Sequence, residues 1–333
     1  MLKEDRNISN NGAQFPNYGW AFFITGSPGS GKNYIYNNLL PIHGKVFDLD
    51  EVVDNITKLR SDKRAKEENK KNITTGIIQD VRRQARKDAG QKIQTSFDLF
   101  LGNNKQLDNI IMLCTGHGPD KDEETSSLQN LIYKAKERGY KICVIHVATN
   151  ASVALKRNIS RGEKTITMPN GKIKKDPYAR TVPDSGFHSK TNSTNTYMPK
   201  FLKTSLSNNV DMAYIILSSG ENLNDEFGDQ INNVIKLEKA PNGEGFVFPK
   251  TNVYKPKNKY VNSYDELEKF LGPKEKNTKF NPRFYEPETY LSIQDIKKGK
   301  QGKDGTYLRQ TEPITESQLR KIIKETILEY LRK

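Results

Sequence analysis

Residues 26–32 read Gly-Ser-Pro-Gly-Ser-Gly-Lys, which sets Gly26, Gly31 and Lys32 in the spacing G-x-x-x-x-G-K. A loop of this kind handles phosphate. Its glycines, here Gly26, Gly29 and Gly31, let backbone N–H groups turn inward around phosphate oxygens, with Ser27 and Ser30 between them. A helix N-terminus that follows adds partial positive charge, and Lys32 would reach the β- and γ-phosphates. The next position departs from the pattern: a hydroxyl residue there ligates Mg2+, whereas this chain carries Asn33. An amide oxygen also ligates Mg2+, from a larger side chain with a different reach. Asp48 and Asp50 in the run Val46-Phe-Asp-Leu-Asp-Glu51 are the carboxylates placed to compensate. The candidate metal set is therefore Asn33, Asp48 and Asp50. Asp50 has a second role open to it, because a carboxylate beside a γ-phosphate can accept the proton of an attacking hydroxyl. The same acids equally suit the first turn of a helix.

Phosphoryl transfer is mostly positioning and charge stabilisation, so cations are sought next. Arg157 and Arg161 lie four apart and share a helix face. Arg180 follows a lysine-rich polar insertion and precedes Thr-Val-Pro183. Arginines arriving from a mobile lid suit the charge on a γ-phosphate; a basic helix end in solvent is the competing reading. Thr115 and His117, in Thr-Gly-His-Gly118, are candidates for touching substrate. The histidines have no metal-ligand partner at helical or zinc-like spacing.

These residues need elements to hold them. Apolar runs at 20–25, 45–50, 109–114, 141–147 and 210–218 read as buried strands, and the segments between them read as helices. Strand and helix alternate, which predicts an α/β fold: a doubly wound, mostly parallel five-stranded sheet with right-handed crossovers. Its carboxyl edge would carry Gly26–Asn33, Asp48, Asp50, Thr115 and His117, where ligands bind in this fold class. A helix runs from Ser126 to Gly139, which closes it, with Leu128, Leu131, Ile132 and Ala135 on one face; another runs over 151–162, and a last one over 225–237. A long charged stretch, 51–108, has Ile77, Ile78, Val81 and Ala85, then Ile93, Phe97, Phe100 and Leu101, at helical spacing.

Domain organisation follows from changes of character. Residues 1–18 are polar and Asn-rich, an N-terminal arm. Residues 19–239 hold the phosphate-loop domain, with a lid or insertion at about 157–200. Residues 240–312 are rich in Pro, Gly, Lys and Asn and read as an extended polar appendage, interrupted by a short helix over 263–271 with Ser263 and Glu266 as a capping box. Residues 313–333 form a terminal amphipathic helix whose stripe is Leu319, Ile322, Ile323, Ile327, Tyr330 and Leu331, opened by Thr315 and Gln318. That stripe has two destinations, the chain's own core or the groove of a protein partner.

The chain has 333 residues, of which 34% are hydrophobic, too few for a core packed from end to end. Its 54 basic against 40 acidic residues give a formal charge of +14. Such a surface suits polyanions: a nucleotide, a nucleic acid or an acidic protein. Cys114 and Cys143 sit in apolar runs, which points to a reducing compartment without a disulfide framework. With no apolar run of about 18 residues and no signal peptide, neither a membrane span nor secretion is expected, and the location read from this is the cytoplasm.

Six stretches occur in a telling order: TGSPGSGKN, VFDLDEVV, IIMLCTG, GYKICVIHV, LKRNISRG and RTVP. Over about residues 20–237 the chain resembles the branch of phosphate-loop kinases that holds the zeta-toxin-like kinases and the phage-type polynucleotide 5′-kinases. The resemblance implies ATP with Mg2+, Lys32 on phosphate and Asp50 as base for the acceptor hydroxyl. Arg157 or Arg161, together with Arg180, would supply the lid cations. Zeta-toxin-like kinases phosphorylate an aminosugar attached to UDP, and polynucleotide kinases a 5′-hydroxyl. The Arg-Thr-Val-Pro run looks more like the former. The polynucleotide-kinase pattern wants an arginine three residues after the base, where this chain has Val53. Two departures stand out: Asn33, and the region 54–108, which matches no acceptor-binding motif. The terminal helix resembles short tails on proteins of large tailed phages, which implies a phage origin. From this come two expectations. One is an ATP-dependent phosphotransferase acting on a hydroxyl acceptor. The other is a virion or assembly component on a weakened kinase fold, docked by residues 314–333.

Overall fold

The strand that feeds the glycine loop, β1 (Trp20–Thr25), is buried at every residue. Six residues with no polar alternation need cover on both faces, which a central place in a parallel sheet supplies. The computed structural model describes residues 18–38, 40, 42–67, 72–73, 75–120, 124–162, 165–167, 173–175, 182, 184–218, 234–249, 261–272 and 291–292. After β1 come α1 (Lys32–Asn38), β2 (Lys45–Asp48), α2 (Leu49–Glu67), β3 (Asn72–Ile73) and α3 (Thr75–Asn103). Next are β4 (Ile110–Cys114), α4 (Ser127–Glu137), β5 (Lys141–Thr149) and α5 (Ala151–Gly162). Then follow β6 (Thr165–Thr167), β7 (Ile173–Lys175), α6 (Asp184–Lys203) and β8 (Met212–Ser218). The remaining elements are β9 (Val234–Lys236), β10 (Glu238–Lys239), β11 (Phe246–Val247), α7 (Tyr264–Leu271) and β12 (Leu291–Ser292).

The main sheet has the order β2-β4-β1-β5-β8-β9. The first five strands pair in parallel, and β9 closes one edge antiparallel to β8. β1 lies between β4 and β5, with Thr25 level with Cys114 on one side and His146 on the other. The strand alternation splits the core. Phe22, Ile24, Ile111, Ile145 and Ile216 share one cluster with Ile35 of α1. Phe23, Met112, Val144 and Ile215 share the other with residues of α3, α4, α6 and α7. On that second side Phe47 meets Phe97 and Phe100 edge-on, with ring centroids 5.5 and 5.8 Å apart.

The chain divides into two compact units. The first comprises residues 1–49, 92–160 and 181–281; the second comprises 50–91, 161–180 and 282–333. The first holds the main sheet. The second holds α2 from Asp50 onward, the opening half of α3, and the short antiparallel pairs β6–β7 and β3–β12. Within it Ile78, Val81, Ala85 and Ala89 of α3 and Val53, Thr57 and Ser61 of α2 are buried. Ion pairs between described residues join these helices, among them Asp50–Arg86 at 3.9 Å, Asp54–Arg82 at 3.1 Å and Arg60–Asp88 at 2.6 Å.

The α/β sheet is the predicted one with a sixth strand added, and several local expectations are corrected. The second strand ends at Asp48, so Asp50 stands in the first turn of α2 with Glu51, where acids complement the helix dipole. Of the helix expected over 225–237, residues 225–233 lie outside the described residues, and 234–236 form a strand instead, β9: Val234 and Ile235 pair with Ile216 and Ile215. β-branched residues beside an uncovered sheet edge extend it. α6 was not foreseen. Its Ser, Thr and Asn content and internal Pro199 read as loop, yet Phe187, Tyr197, Met198, Phe201 and Leu202 bury one face. It occupies the second part of the expected lid. Residues 246–249 and 261–271, expected in the appendage, enter the core through Phe246, Val261, Tyr264, Leu267, Phe270 and Leu271. Asn150 fastens them: its side-chain amide donates to Phe270 O at 3.0 Å while its Oδ1 caps α5 on Ser152 N. The helix over 126–139 has the full capping box, Ser126 with Gln129. At 263–271 Ser263 accepts from Glu266 N, and Glu266 reaches back one residue further, to Asn262 N. The N-terminal arm, except Tyr18, Arg180 and the terminal helix at 313–333 lie outside the described residues. Among the described residues no helix is long and apolar enough to cross a membrane.

Candidate phosphate site

The loop leaves β1 at Thr25 and enters α1 at Lys32. Backbone geometry explains one of its glycines directly. Gly29 sits at φ +82°, and a Cβ there would collide with the Ala154 carbonyl of α5. Inside the loop Ser30 N donates to Ser27 O at 3.1 Å, and Gly26 N donates to Thr115 O at 3.3 Å. Lys32 lies back within the loop, its Nζ donating to Gly26 O at 2.7 Å and Ser27 O at 3.2 Å. It is almost fully buried. The Ser27 and Ser30 hydroxyls are buried without hydrogen-bond partners, a local polarity that an incoming oxyanion would satisfy.

Asn33 adjoins Asp48. Its Nδ2 donates to Asp48 Oδ2 at 2.6 Å. An amide carries both donor and acceptor, so an N–H on the carboxylate turns Oδ1 away from it. This is the double capacity of the hydroxyl group that Asn33 replaces. The donor set also suits Mg2+: an amide oxygen and a carboxylate oxygen are hard ligands, and Mg2+ is ordinarily taken by one or two carboxylates together with substrate phosphates. Among the described residues no group of three or more His, Cys, Asp or Glu stands ready for a metal by itself.

The other candidates are distributed as follows. Asp50 belongs to the second unit, paired with Arg86. Thr115 Oγ1 and His117 Nδ1 share a hydrogen bond at 2.8 Å, and Thr115 O also accepts from Thr194 Oγ1 of α6 at 3.1 Å. Arg157 is 5% exposed, and its Nη1 donates to Ser218 Oγ at 2.7 Å and to Ser30 O at 3.4 Å. The expectation for Arg157 was a lid cation; the structure buries it against the back of the loop. Arg161, one turn further along α5, is half-buried and falls in the second unit. The structure thus brings together Gly26–Asn33, Asp48, Thr115 and Arg157.

Sequence reasoning passed over His146, Thr149 and Ser218. His146 Nδ1 and Thr25 Oγ1 share a hydrogen bond at 3.1 Å, while Nε2 is buried without a partner. Burial, and secondarily the Lys32 charge, push its pKa down to about 3, so the ring is neutral. Thr149 Oγ1 donates to Ser30 O at 3.3 Å. The signal for Thr149 and Ser218 was present: each is the hydroxyl residue that ends an apolar strand at the ligand-bearing edge. The neighbouring thiol of Cys114 is pushed up to about 12 by burial despite Lys32, and Cys143 is raised by burial too. Both are free and protonated.

No family model matches the chain, and no curated protein matches it either. Solved structures do. One, from the PezAT chromosomal toxin–antitoxin system of Streptococcus pneumoniae, is 11% identical with a TM-score of 0.43, over 80% of this chain and 83% of that one. Another, the complex of AvrRxo1-ORF1 and AvrRxo1-ORF2 with ATP, is 11% identical with a TM-score of 0.44, over 82% and 81%.

Proposed function

We infer that the protein is an ATP-dependent phosphotransferase that moves a γ-phosphoryl group to a hydroxyl acceptor. The observation that carries this is the joint geometry of Lys32, seated inside the glycine loop on the Gly26 and Ser27 carbonyls, and Asn33, hydrogen-bonded to Asp48. Phosphate oxygens are stronger acceptors for an ammonium than peptide carbonyls are. Lys32 therefore exchanges its loop contacts for the β- and γ-phosphates, and the loop N–H groups supply the rest of the cradle. Asn33 Oδ1 and Asp48 are the residues that would hold Mg2+, which when bound neutralises developing charge on the phosphates. Asp50 is the proposed base, a role that rests on its place in the sequence. In the transfer a bond forms between the acceptor oxygen and the γ-phosphorus. The bond from that phosphorus to the β,γ-bridging oxygen breaks, ADP leaves, and the acceptor proton goes to the carboxylate. Arg161 and Arg180 remain the proposed lid cations.

The acceptor class proposed first is a small molecule or nucleotide sugar, in line with the Arg-Thr-Val-Pro run. Radiolabelled ATP with Mg2+, offered with nucleotide sugars and with 5′-hydroxyl oligonucleotides, tests the proposal. Label on a nucleotide sugar is expected, lost in Asp50→Asn and in Lys32→Ala. Failure to transfer label to any acceptor, combined with failure to bind ATP at millimolar concentration, would overturn it.

A further inference from the structure

The Ser30 carbonyl is held from behind the loop by two donors on different elements. Thr149 Oγ1 reaches it at 3.3 Å from the end of β5, and Arg157 Nη1 at 3.4 Å from α5. Arg157 also donates to Ser218 Oγ at 2.7 Å. Thr149 and Ser218 are register partners, the last pair of the β5–β8 ladder. Thr149, Arg157 and Ser218 are 1%, 5% and 0% exposed. The arrangement is therefore built into the interior where two adjacent strands end.

A trans peptide is planar, so a carbonyl and the N–H that follows it point in opposite directions. A Ser30 carbonyl drawn toward Thr149 and Arg157 turns the Gly31 N–H the opposite way, away from β5 and α5. The reverse orientation would set a carbonyl oxygen against phosphate and remove a donor. Gly31, at φ +93°, has the freedom that makes both orientations accessible to a glycine. The choice between them must come from outside the loop.

We propose that Thr149, Arg157 and Ser218 form a latch on the Ser30–Gly31 peptide that keeps its N–H directed at bound phosphate. Arg157 and Thr149 are then positioning residues, and Arg157 acts on the loop backbone rather than on the γ-phosphate. The latch rests on the reading of the loop as a phosphate site. It serves the group that Gly31 N–H contacts whether or not a γ-phosphate is present, so it supports ADP and ATP equally.

Titration calorimetry of the full chain with ATP and with ADP tests this, using Thr149→Val, Ser218→Ala and Arg157→Lys. Thr149→Val is nearly isosteric and removes one donor from a side chain distant from solvent. It is expected to weaken ATP and ADP together by about fivefold, the worth of one ordinary hydrogen bond. Arg157→Lys keeps the charge but puts it on a shorter side chain with a compact ammonium that does not reproduce the reach of the planar guanidinium, and is expected to weaken both nucleotides by about tenfold or more. Ser218→Ala frees the guanidinium and gives a smaller loss of the same kind. Wild-type affinity in Thr149→Val would overturn the latch. So would a loss confined to ATP in Arg157→Lys, which would assign that guanidinium to the γ-phosphate. If the wild-type chain binds neither nucleotide, the phosphate-site reading fails and the latch fails with it; binding by wild type without sensitivity to Thr149 sinks the latch alone.

Discussion

The back of the glycine loop and the α2–α3 pair are both held by polar contacts, yet they are built in opposite ways. Behind the loop, buried side chains from β5, α5 and β8 grip a single backbone carbonyl directly or through one another. Along α2 and α3, flexible side chains meet each other: in the Arg60–Asp88 pair both partners are more than 40% exposed, and Asp50–Arg86 is spaced at 3.9 Å. Buried bonds to backbone fix an orientation, because breaking one strands a polar group away from water. Exposed ion pairs are exchanged readily for water and salt. The first construction suits a rigid phosphate cradle. The second suits a surface whose exact shape is set late.

Substitutions can break this contrast, beginning with the largest expected effect. Lys32→Ala should weaken ATP binding about a hundredfold, since charge-assisted bonds to two phosphates vanish; calorimetry measures it. Next is acid sensitivity beside the loop. His146 has a folded pKa of about 3, below its ordinary 6.5. The unfolded chain therefore takes up a proton that the folded chain refuses between those values. The resulting stability is fully present above about pH 6.5 and lost progressively as pH falls toward 3. At pH 5 the loss attributable to this ring is about 2 kcal/mol. Urea unfolding at pH 7 and pH 5 should show that difference in the wild type and a smaller one in His146→Gln.

Asn33 gives a finer cut. Asn33→Ala removes both the Asp48 contact and the amide oxygen, and should reduce the gain in ATP affinity that Mg2+ provides by about tenfold. Asn33→Thr restores a donor and an acceptor and should recover most of it. Equal Mg2+ dependence in all three chains would remove Asn33 from metal handling. The smallest effect belongs to the other region: Asp88→Ala should change stability by under about 1 kcal/mol, and by less in 1 M salt. A large loss there would show that α2 and α3 are held as stiffly as the loop.

Local rules carried much of the reading. The glycine loop, its strand and its helix are contiguous in sequence, and five buried strands announce themselves by apolar runs. Ser263 was legible as a cap because its partner, Glu266, lies three residues away. α6 was not legible. Its Ser, Thr and Asn residues favour turns in isolation, and its helical face is stabilised only once Tyr197, Met198, Phe201 and Leu202 join the core against the sheet. Residues 246–249 and 261–271 read as appendage for the same reason, since Phe246 and Phe270 find their partners across long sequence separation.

Taken alone, then, the sequence determined the chemistry on offer: a phosphate loop with Lys32, the substitution of Asn33 for a hydroxyl residue, and two acids, Asp48 and Asp50, at the end of the second strand run. It also determined the alternation of strand and helix that brings the loop to the sheet's carboxyl edge. Only the tertiary structure decided what those groups do to each other. Arg157 four residues before Arg161 fits a lid cation as well as a brace, and spacing along a helix cannot tell a guanidinium facing phosphate from one buried on Ser30 O and Ser218 Oγ. Nor could it show that Asn33 spends its N–H on Asp48. Those choices depend on which strand lies beside which. The neighbours β5 and β8 are separated in sequence by α5 and α6, and only the folded sheet sets Thr149 level with Ser218.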